Sequence, residues 1–557
     1  MNTKYIILAG ACSLALFTGC LKDLDTLPLN EHVLTSDKVY ASADAYKGVL
    51  AKCYGSLVLS GQKGPSGDAD VAGIDEGYSC YLRAVLYLQE STTDEILFHS
   101  GSSVGTRDLM FMNWHAGTSV IKNSYYRLYM SINYCNELLR EISDEKLQER
   151  GLYEAMRGEA PYYRAEVRFI RAYCYSMLCD LFGAVPFVDE TMMLGTIPRQ
   201  KSREEIYNYA VAEAEAAAAS LKAAGDNEYG RVDQAAAWFL LSRIYLNAQV
   251  WAGKNEYENA YQYAKKVIDC GKYPLAADYR HLFLADNRTT CKEMVWVLPQ
   301  DLENTKSYGG TNFIIKAMTD GNMKPYTGMS ESWGNARLKT QLVDKFELSD
   351  QTFDPSDPLG DNKKDKRAQF YTTDHTKDTW VATKPFQGDF KNGYATIKWR
   401  NVTNDGQPLA AGGTTYTAID YPMFRTADAY LMAAEAILRG ASGSRADALN
   451  YVNEIRDRAY LSGSYGIGIS GRISDSELTL DFILDERARE LHTELVRRTD
   501  LIRFGKFTKG YNWDWKGSDG AADNYIGKDV DDKYKLFPIP QEEFTVNPYL
   551  TQNADYK

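Results

Sequence analysis

Glu486, Glu490 and Glu494 recur every four residues with Asp485 beside them, a spacing that gathers carboxylates on one face of a helix. Paired carboxylates serve as acid and base in glycoside cleavage. Arg487, Arg489, Arg497 and Arg498 are interleaved with them, however. Guanidinium neighbours hold acids ionised, whereas a general acid needs a raised pKa. The cluster therefore reads as a salt-bridged helix. Gly101 to Gly105 matches the G-x-S-x-G elbow and follows a possible strand over Glu95 to His99, with Ser103 as nucleophile and His281, His375 or His492 as conceivable partners. An elbow needs a doubly wound sheet around it, and none is legible here. Gly466 to Gly471 fits G-x-G-x-x-G but follows a helical pattern, so it reads as a loop. The six His are dispersed without H-E-x-x-H, and Asp354 to Asp365 lacks the ligand order of a calcium loop. No enzyme, metal or cofactor is expected.

The elements that would carry any site are helical. Val167, Ile170, Cys174, Leu178 and Leu181 form one buried stripe over Ala160 to Phe182, stopped by Gly183 and Pro186. An alanine-rich helix is expected over Arg203 to Lys222. Two helix-turn-helix pairs follow: Gln234 to Val250 with Tyr257 to Cys270, and Ala427 to Leu438 with Arg445 to Ala459. Both fit the roughly 34-residue period of a tetratricopeptide unit. Ala41 to Leu57 and Ser119 to Ile142 supply further helices. The fold class is mostly α, a tetratricopeptide-like stack of helical hairpins with a few short strands, expected at Glu293 to Leu298 and Tyr394 to Arg400. Residues 279–425 lose helical periodicity and are rich in Gly, Asn, Asp, Thr and Pro with scattered aromatics. A long irregular segment on a rigid scaffold is where binding residues collect. Trp296, inside the apolar run Met294 to Leu298, reads as core.

The first residues carry an address. A basic start, an apolar run from Tyr5 to Phe17, then Thr18, Gly19 and Cys20 form a secretory signal, ended by Lys22 to Asp25. The run is short of the roughly 20 apolar residues of a membrane span. Residues 1–19 are read as a signal peptide and 20–557 as a single domain. Leu16 to Cys20 resembles the lipobox of bacterial lipoproteins, which makes Cys20 the lipidated residue and the membrane anchor. Of 557 residues, 44% are hydrophobic and 25% charged, with a net charge of −12, which speaks for a large core and against a nucleic-acid partner. Cys53, Cys80, Cys135, Cys174, Cys179, Cys270 and Cys291 contain no C-x-x-C pair, so zinc or a disulfide framework is not expected. Forty Tyr and nine Trp leave many rings for core or ligand.

Several segments together resemble the SusD/RagB family of outer-membrane nutrient-binding lipoproteins of Bacteroidetes. They are Cys20 with Leu24-Asp25-Thr26-Leu27-Pro28, Arg168 to Tyr173 running to Phe182-Gly183-Ala184-Val185-Pro186, Asp485-Glu486-Arg487, Asp500 to Gly505, Phe537-Pro538-Ile539-Pro540, Asn547-Pro548 and Gln552-Asn553. The resemblance spans the mature chain. It implies a non-enzymatic lid on a SusC-type TonB-dependent transporter, lipid-anchored at the outer membrane and exposed at the cell surface, with loops forming an oligosaccharide site. Lys22-Asp23 resembles the family's export signal. The ligand candidates are Trp333 first, in a segment from Glu331 to Arg337 that resembles the family's ligand-facing loop, then Tyr308, Tyr326, Asn335 and Arg337. Glycan-binding relatives often carry a Trp around Phe98 to Asp108, which this chain lacks, and Tyr78 and Tyr81 are candidates to replace it. Peptide cargo, associated with the RagB branch, and a scaffold without its own ligand are the alternatives.

Overall fold

The computed structural model of the chain describes residues 35–65, 67–98, 105–379, 390–461, 470–519 and 525–556. Residues 1–34, with the expected signal peptide, Cys20 and Leu24 to Pro28, as well as Ser103 and Gly466 to Ile469, lie outside the described residues. The longer helices are α1 (Ala43–Val58), α2 (Tyr81–Gln89), α3 (Ser119–Glu141), α4 (Ala160–Leu181), α5 (Arg203–Ser220), α6 (Gln234–Leu246) and α7 (Tyr257–Asp269). They continue with α8 (Gly310–Ala317), α9 (Thr426–Leu438), α10 (Arg445–Ala459), α11 (Leu480–Leu491) and α12 (Arg497–Arg503).

Local chemistry sets the boundaries. Pro161 sits in the first turn of α4, where its missing N–H costs nothing. At the far end Gly183 takes a left-handed φ of 75° and its N–H caps the Leu178 carbonyl at 3.1 Å. Capping boxes start α5 (Ser202 with Glu205) and α10 (Ser444 with Asp447). The helix expected from Gln234 to Val250 breaks at Asn247, whose amide donates back to the Arg243 carbonyl at 2.9 Å. That side-chain bond competes with the backbone ladder and ends α6 early.

The helices stack in order: α1 on α3, α3 on α4, α4 on α5, α5 on α6, α6 on α7, then α7 directly on α9 and α9 on α10. The two hairpin pairs of the sequence are thus neighbours in space, and everything between Asp269 and Thr426 is an excursion from one helical array. Ala235, Ala236, Ala237, Ala260 and Ala264 are all fully buried, which lets α6 and α7 approach closely. Trp296 is in the core at 2% exposure, and the cysteines Cys174 and Cys179 are fully buried free thiols of α4.

A two-stranded stem closes the excursion. Strands β1 (Ile96–Phe98), β2 (Met294–Leu298), β3 (Ala336–Leu338), β4 (Phe370–Tyr371), β5 (Ala395–Thr396) and β6 (Tyr421–Arg425) pair antiparallel as β1–β3, β2–β6 and β4–β5. β2 matches expectation. The strand expected over Tyr394 to Arg400 shrinks to β5, with only an isolated bridge from Arg400 to Leu284 beyond it. The segment also holds α8, a helix of eight residues, too short to raise a periodic signal in a Gly- and Asn-rich stretch.

The carboxylate cluster of the sequence is a buried ion network. Arg425, at the end of the stem, donates to Glu293 (3.0 Å), Glu490 (2.6 Å) and Glu494 (2.6 Å), while Arg367 reaches Glu486 (2.7 Å) and Lys398 reaches Glu494 (2.6 Å). Burial would raise the Glu490 carboxyl, but Arg458, Arg425 and Arg367 override it and hold it down to about 2. Arg367, Arg489 and Arg456 likewise override burial and hold the Glu486 carboxyl well below the usual carboxylate range. The continuous helix is corrected: α11 stops at Leu491, and Thr493 and Leu495 take left-handed φ of 64° and 65° before α12 begins.

Candidate functional site

Four half-buried rings, Tyr78, Tyr308, Trp333 and Tyr416, lie around two cations where the loops meet the N-terminal helices. Tyr308 stands 6.2 Å from both Trp333 and Tyr416, centroid to centroid. Beneath them Lys316, from α8, is fully buried, with its ammonium 5.8, 5.4 and 5.8 Å from the Tyr308, Trp333 and Tyr416 rings. It bonds the Glu331 carboxylate at 2.8 Å, and Glu331 is 53% exposed. That ammonium holds the Glu331 carboxyl below its usual range. Arg83, from α2, lies over Tyr78 at 3.7 Å and Phe313 at 4.3 Å, and donates to the Tyr308 carbonyl at 3.2 Å.

The backbone fixes these rings. The N–H groups of Trp333, Gly334 and Asn335 donate to the carbonyls of Lys316, Thr319 and Ala317 at 2.7, 2.8 and 2.7 Å. Lys316 and Ala317 are among the carbonyls that the end of α8 leaves without helical partners, so the loop caps the helix. Gly334 makes the turn with a φ of 61°, where an L side chain is strained. Tyr308 is set from the other side: buried Glu76 accepts from Ser307 Oγ at 2.8 Å and from the Tyr308 N–H at 3.3 Å, and also from Ser60. Gly77 is needed there, because a Cβ would lie 2.9 Å from Tyr308 Cβ.

Of the residues singled out in the sequence, the fold brings together Tyr78, Tyr308 and Trp333, with half-buried Asn335 next along the loop. Tyr81 is corrected: it is fully buried and its hydroxyl bonds Tyr173 inside the core, because the first turn of α2 faces α4. Arg337 is corrected likewise, being 1% exposed on β3 opposite Leu97. Tyr326 belongs to a separate cluster, 5.1 Å from Phe353 and 6.1 Å from Tyr371. Arg83, Phe313, Lys316, Glu331 and Tyr416 were missed. Tyr416, Glu331, Phe313 and Lys316 lay inside the irregular segment that the sequence flagged, the last two on α8, whereas Arg83 on α2 had no signal tying it to that segment. Of the histidines named beside Ser103, His492 is fully buried against Phe346, its Nδ1 facing the Arg489 carbonyl. Among the described residues no His, Cys, Asp and Glu group could hold a metal.

Chemically the assembly is a stacking platform. Neutral ring faces attract C–H surfaces, and burial with the neighbouring Tyr308 pushes the Tyr416 hydroxyl up to about 12, so it stays protonated. Glu331 and the ring hydroxyls supply hydrogen bonds at the rim. The exposed charge is the carboxylate, since both cations lie beneath the rings.

Comparison with known proteins extends over the whole chain. A family model described as the SusD family matches residues 292–556, and one described as starch-binding associating with outer membrane matches residues 86–246. The chain is 32% identical to the starch-binding protein SusD of Bacteroides thetaiotaomicron, covering 100% of both. It is 24% identical to the SusD-like protein P25 of Formosa agariphila over 78% of each chain. Among solved structures, surface glycan-binding protein A of Bacteroides thetaiotaomicron in complex with laminarihexaose covers 92% of this chain and 99% of its own with a TM-score of 0.64 at 19% identity. A SusD superfamily protein of Parabacteroides distasonis gives 0.66 at 21% identity, covering 94% and 100%.

Proposed function

The chain belongs to the SusD family, and from that premise we propose that it is a non-enzymatic, cell-surface lipoprotein that captures an oligosaccharide on the Trp333–Tyr308–Tyr416 platform. The captured glycan is handed to a SusC-type TonB-dependent transporter of the outer membrane, for which this protein is the lid. Cys20 is the lipid anchor, and the helical array of α3 to α10 is the face that rests on the barrel. One observation carries the reading: three half-buried rings held around the buried Lys316 ammonium, with an exposed carboxylate at their edge. Rings of this kind stack on pyranose C–H faces while the rim bonds hydroxyls, a grip weak enough to release cargo. The names of the relatives support the ligand class, since one is a starch-binding protein and another was solved with laminarihexaose.

Two experiments test it. Titration calorimetry of the folded chain against soluble oligosaccharides should show binding that Trp333→Ala removes, and binding of peptides alone would exclude the sugar reading. Affinity purification of the full-length protein from its native outer membrane should recover a TonB-dependent barrel. Recovery of Cys20→Ala in the soluble fraction would bear out the anchor; retention at the membrane in the absence of the barrel would exclude it.

A further inference from the structure

Tyr326, parted from the platform, lines a second cavity of about 260 Å³ together with Pro358, Asp357, Asp361, Arg400 and Asp405. Arg400 is 1% exposed, and its guanidinium donates to the Pro358 carbonyl at 2.6 Å and to Gln369 Oε1 at 3.1 Å, while its Nε has no partner. Among the described residues no carboxylate lies within ion-pairing distance of it, although a buried charge is costly unless it is paired and hydrogen-bonded. Facing the same space, Asp357 accepts the N–H groups of Asp361 and Asn362 at 2.7 Å each, and Asp361 accepts from Arg280 at 2.6 Å. Each carboxylate retains free lone pairs. The Tyr326 ring is braced from behind by Phe353 and Tyr371, and the Thr327 carbonyl beside it is pinned by the Asn401 N–H at 2.7 Å.

We propose that this cavity is a second carbohydrate subsite, taking one neutral hexopyranose ring against Tyr326 with its hydroxyls shared between Arg400 and the aspartates. The ligand class follows from the mixture of groups. A free anion meets three carboxylates, and a cation meets the Arg400 guanidinium. A hydroxyl both accepts from a guanidinium lining the cavity and donates to an aspartate, so a neutral polyol satisfies both. The volume lies below the roughly 300 Å³ at which pockets for drug-sized molecules begin, and suits a single sugar ring. This subsite rests on the platform reading for its ligand class alone, and shares no residue with it.

The test is saturation-transfer NMR of the full chain with glucose, galactose and mannose as probes, in a two-by-two set of variants. Wild type and the platform variant Trp333→Ala/Tyr308→Ala should both show transfer to at least one hexose. Tyr326→Ala and, in case that ring is needed for folding, the exposed Asp405→Asn should each weaken that signal by about fivefold or more, the worth of one stacking or bonding contact. Both should leave oligosaccharide binding at the platform unchanged. Loss of all hexose signal in the platform variant, or full retention in both pocket variants, would overturn the subsite and leave a cavity holding water only. Oligosaccharide binding that survives the platform variant would instead count against the platform.

Discussion

Glu331 is half exposed, yet its removal should cost more than removal of the buried lysine it holds. Lys316 gains from three rings at 5.4 to 5.8 Å, near the outer limit of a useful cation–π distance, so each contributes about 0.5 kcal/mol and the set about 1.5 kcal/mol. Its bond to Glu331 at 2.8 Å is charge-assisted, worth about 1.5 to 3 kcal/mol before the carboxylate's exposure is discounted. Against these stands the desolvation of a fully buried ammonium, several kcal/mol. Lys316→Met removes all three terms together, and the fold should lose no more than about 1 kcal/mol. Glu331→Ala leaves the ammonium buried with only the rings, at a cost of about 2 kcal/mol, between the values for exposed and fully buried pairs. The double variant should fall back to the Lys316→Met value, a coupling of about 2 kcal/mol. Urea unfolding of the three variants reads this directly. Additive losses, or a Glu331→Ala protein as stable as wild type, would refute the claim that the rings are organised around a caged cation.

Other perturbations reach other parts of the molecule. Burial pushes the Glu95 carboxyl, which accepts the Thr493 N–H at 3.0 Å beside the equally buried Glu90, up to about 7. The native state therefore keeps a proton that the unfolded chain has lost, and stability should fall as pH rises from about 4.5 to about 7. Glu95→Gln should flatten that slope in melting curves, and an unchanged slope would place the proton elsewhere. Burial lowers the Lys339 ammonium to about 7, so the unfolded chain binds the extra proton above that pH and stability should recover towards pH 10; Lys339→Met should remove the recovery. Arg425→Met strips the shared partner from Glu293, Glu490 and Glu494 and should cost about 3 to 5 kcal/mol, seen as loss of soluble protein or a large drop in urea midpoint. A variant within about 1 kcal/mol of wild type would show the network to be self-compensating without Arg425.

Helix positions were readable because the buried stripes of α4, α6, α7, α9 and α10 repeat at helical spacing and end at caps such as Gly183 and Ser444. That α7 packs on α9 was not readable, since residues 270–425 separate them in sequence and the pairing of β2 with β6 closes that excursion. Trp333 and Tyr308 were singled out in the segment whose periodicity fails, and the fold brings their rings together. Tyr81 was misplaced for the converse reason: an aromatic in a short helix gives no sign of which face it takes, and its hydroxyl found Tyr173 rather than solvent. Arg83 and Lys316 escaped notice because a cation beneath a ring is a three-dimensional relation between α2, α8 and two loops, with no spacing of its own.

The central claim is that the rings around Lys316 hold a glycan. A glycan microarray probed in parallel with wild type and Trp333→Ala tests it most directly. The wild type should bind at least one neutral oligosaccharide, and Trp333→Ala should weaken that binding by about tenfold, the equivalent of about 1.4 kcal/mol of stacking. Undiminished binding by Trp333→Ala, or a wild type that binds peptides and no glycan, would contradict it.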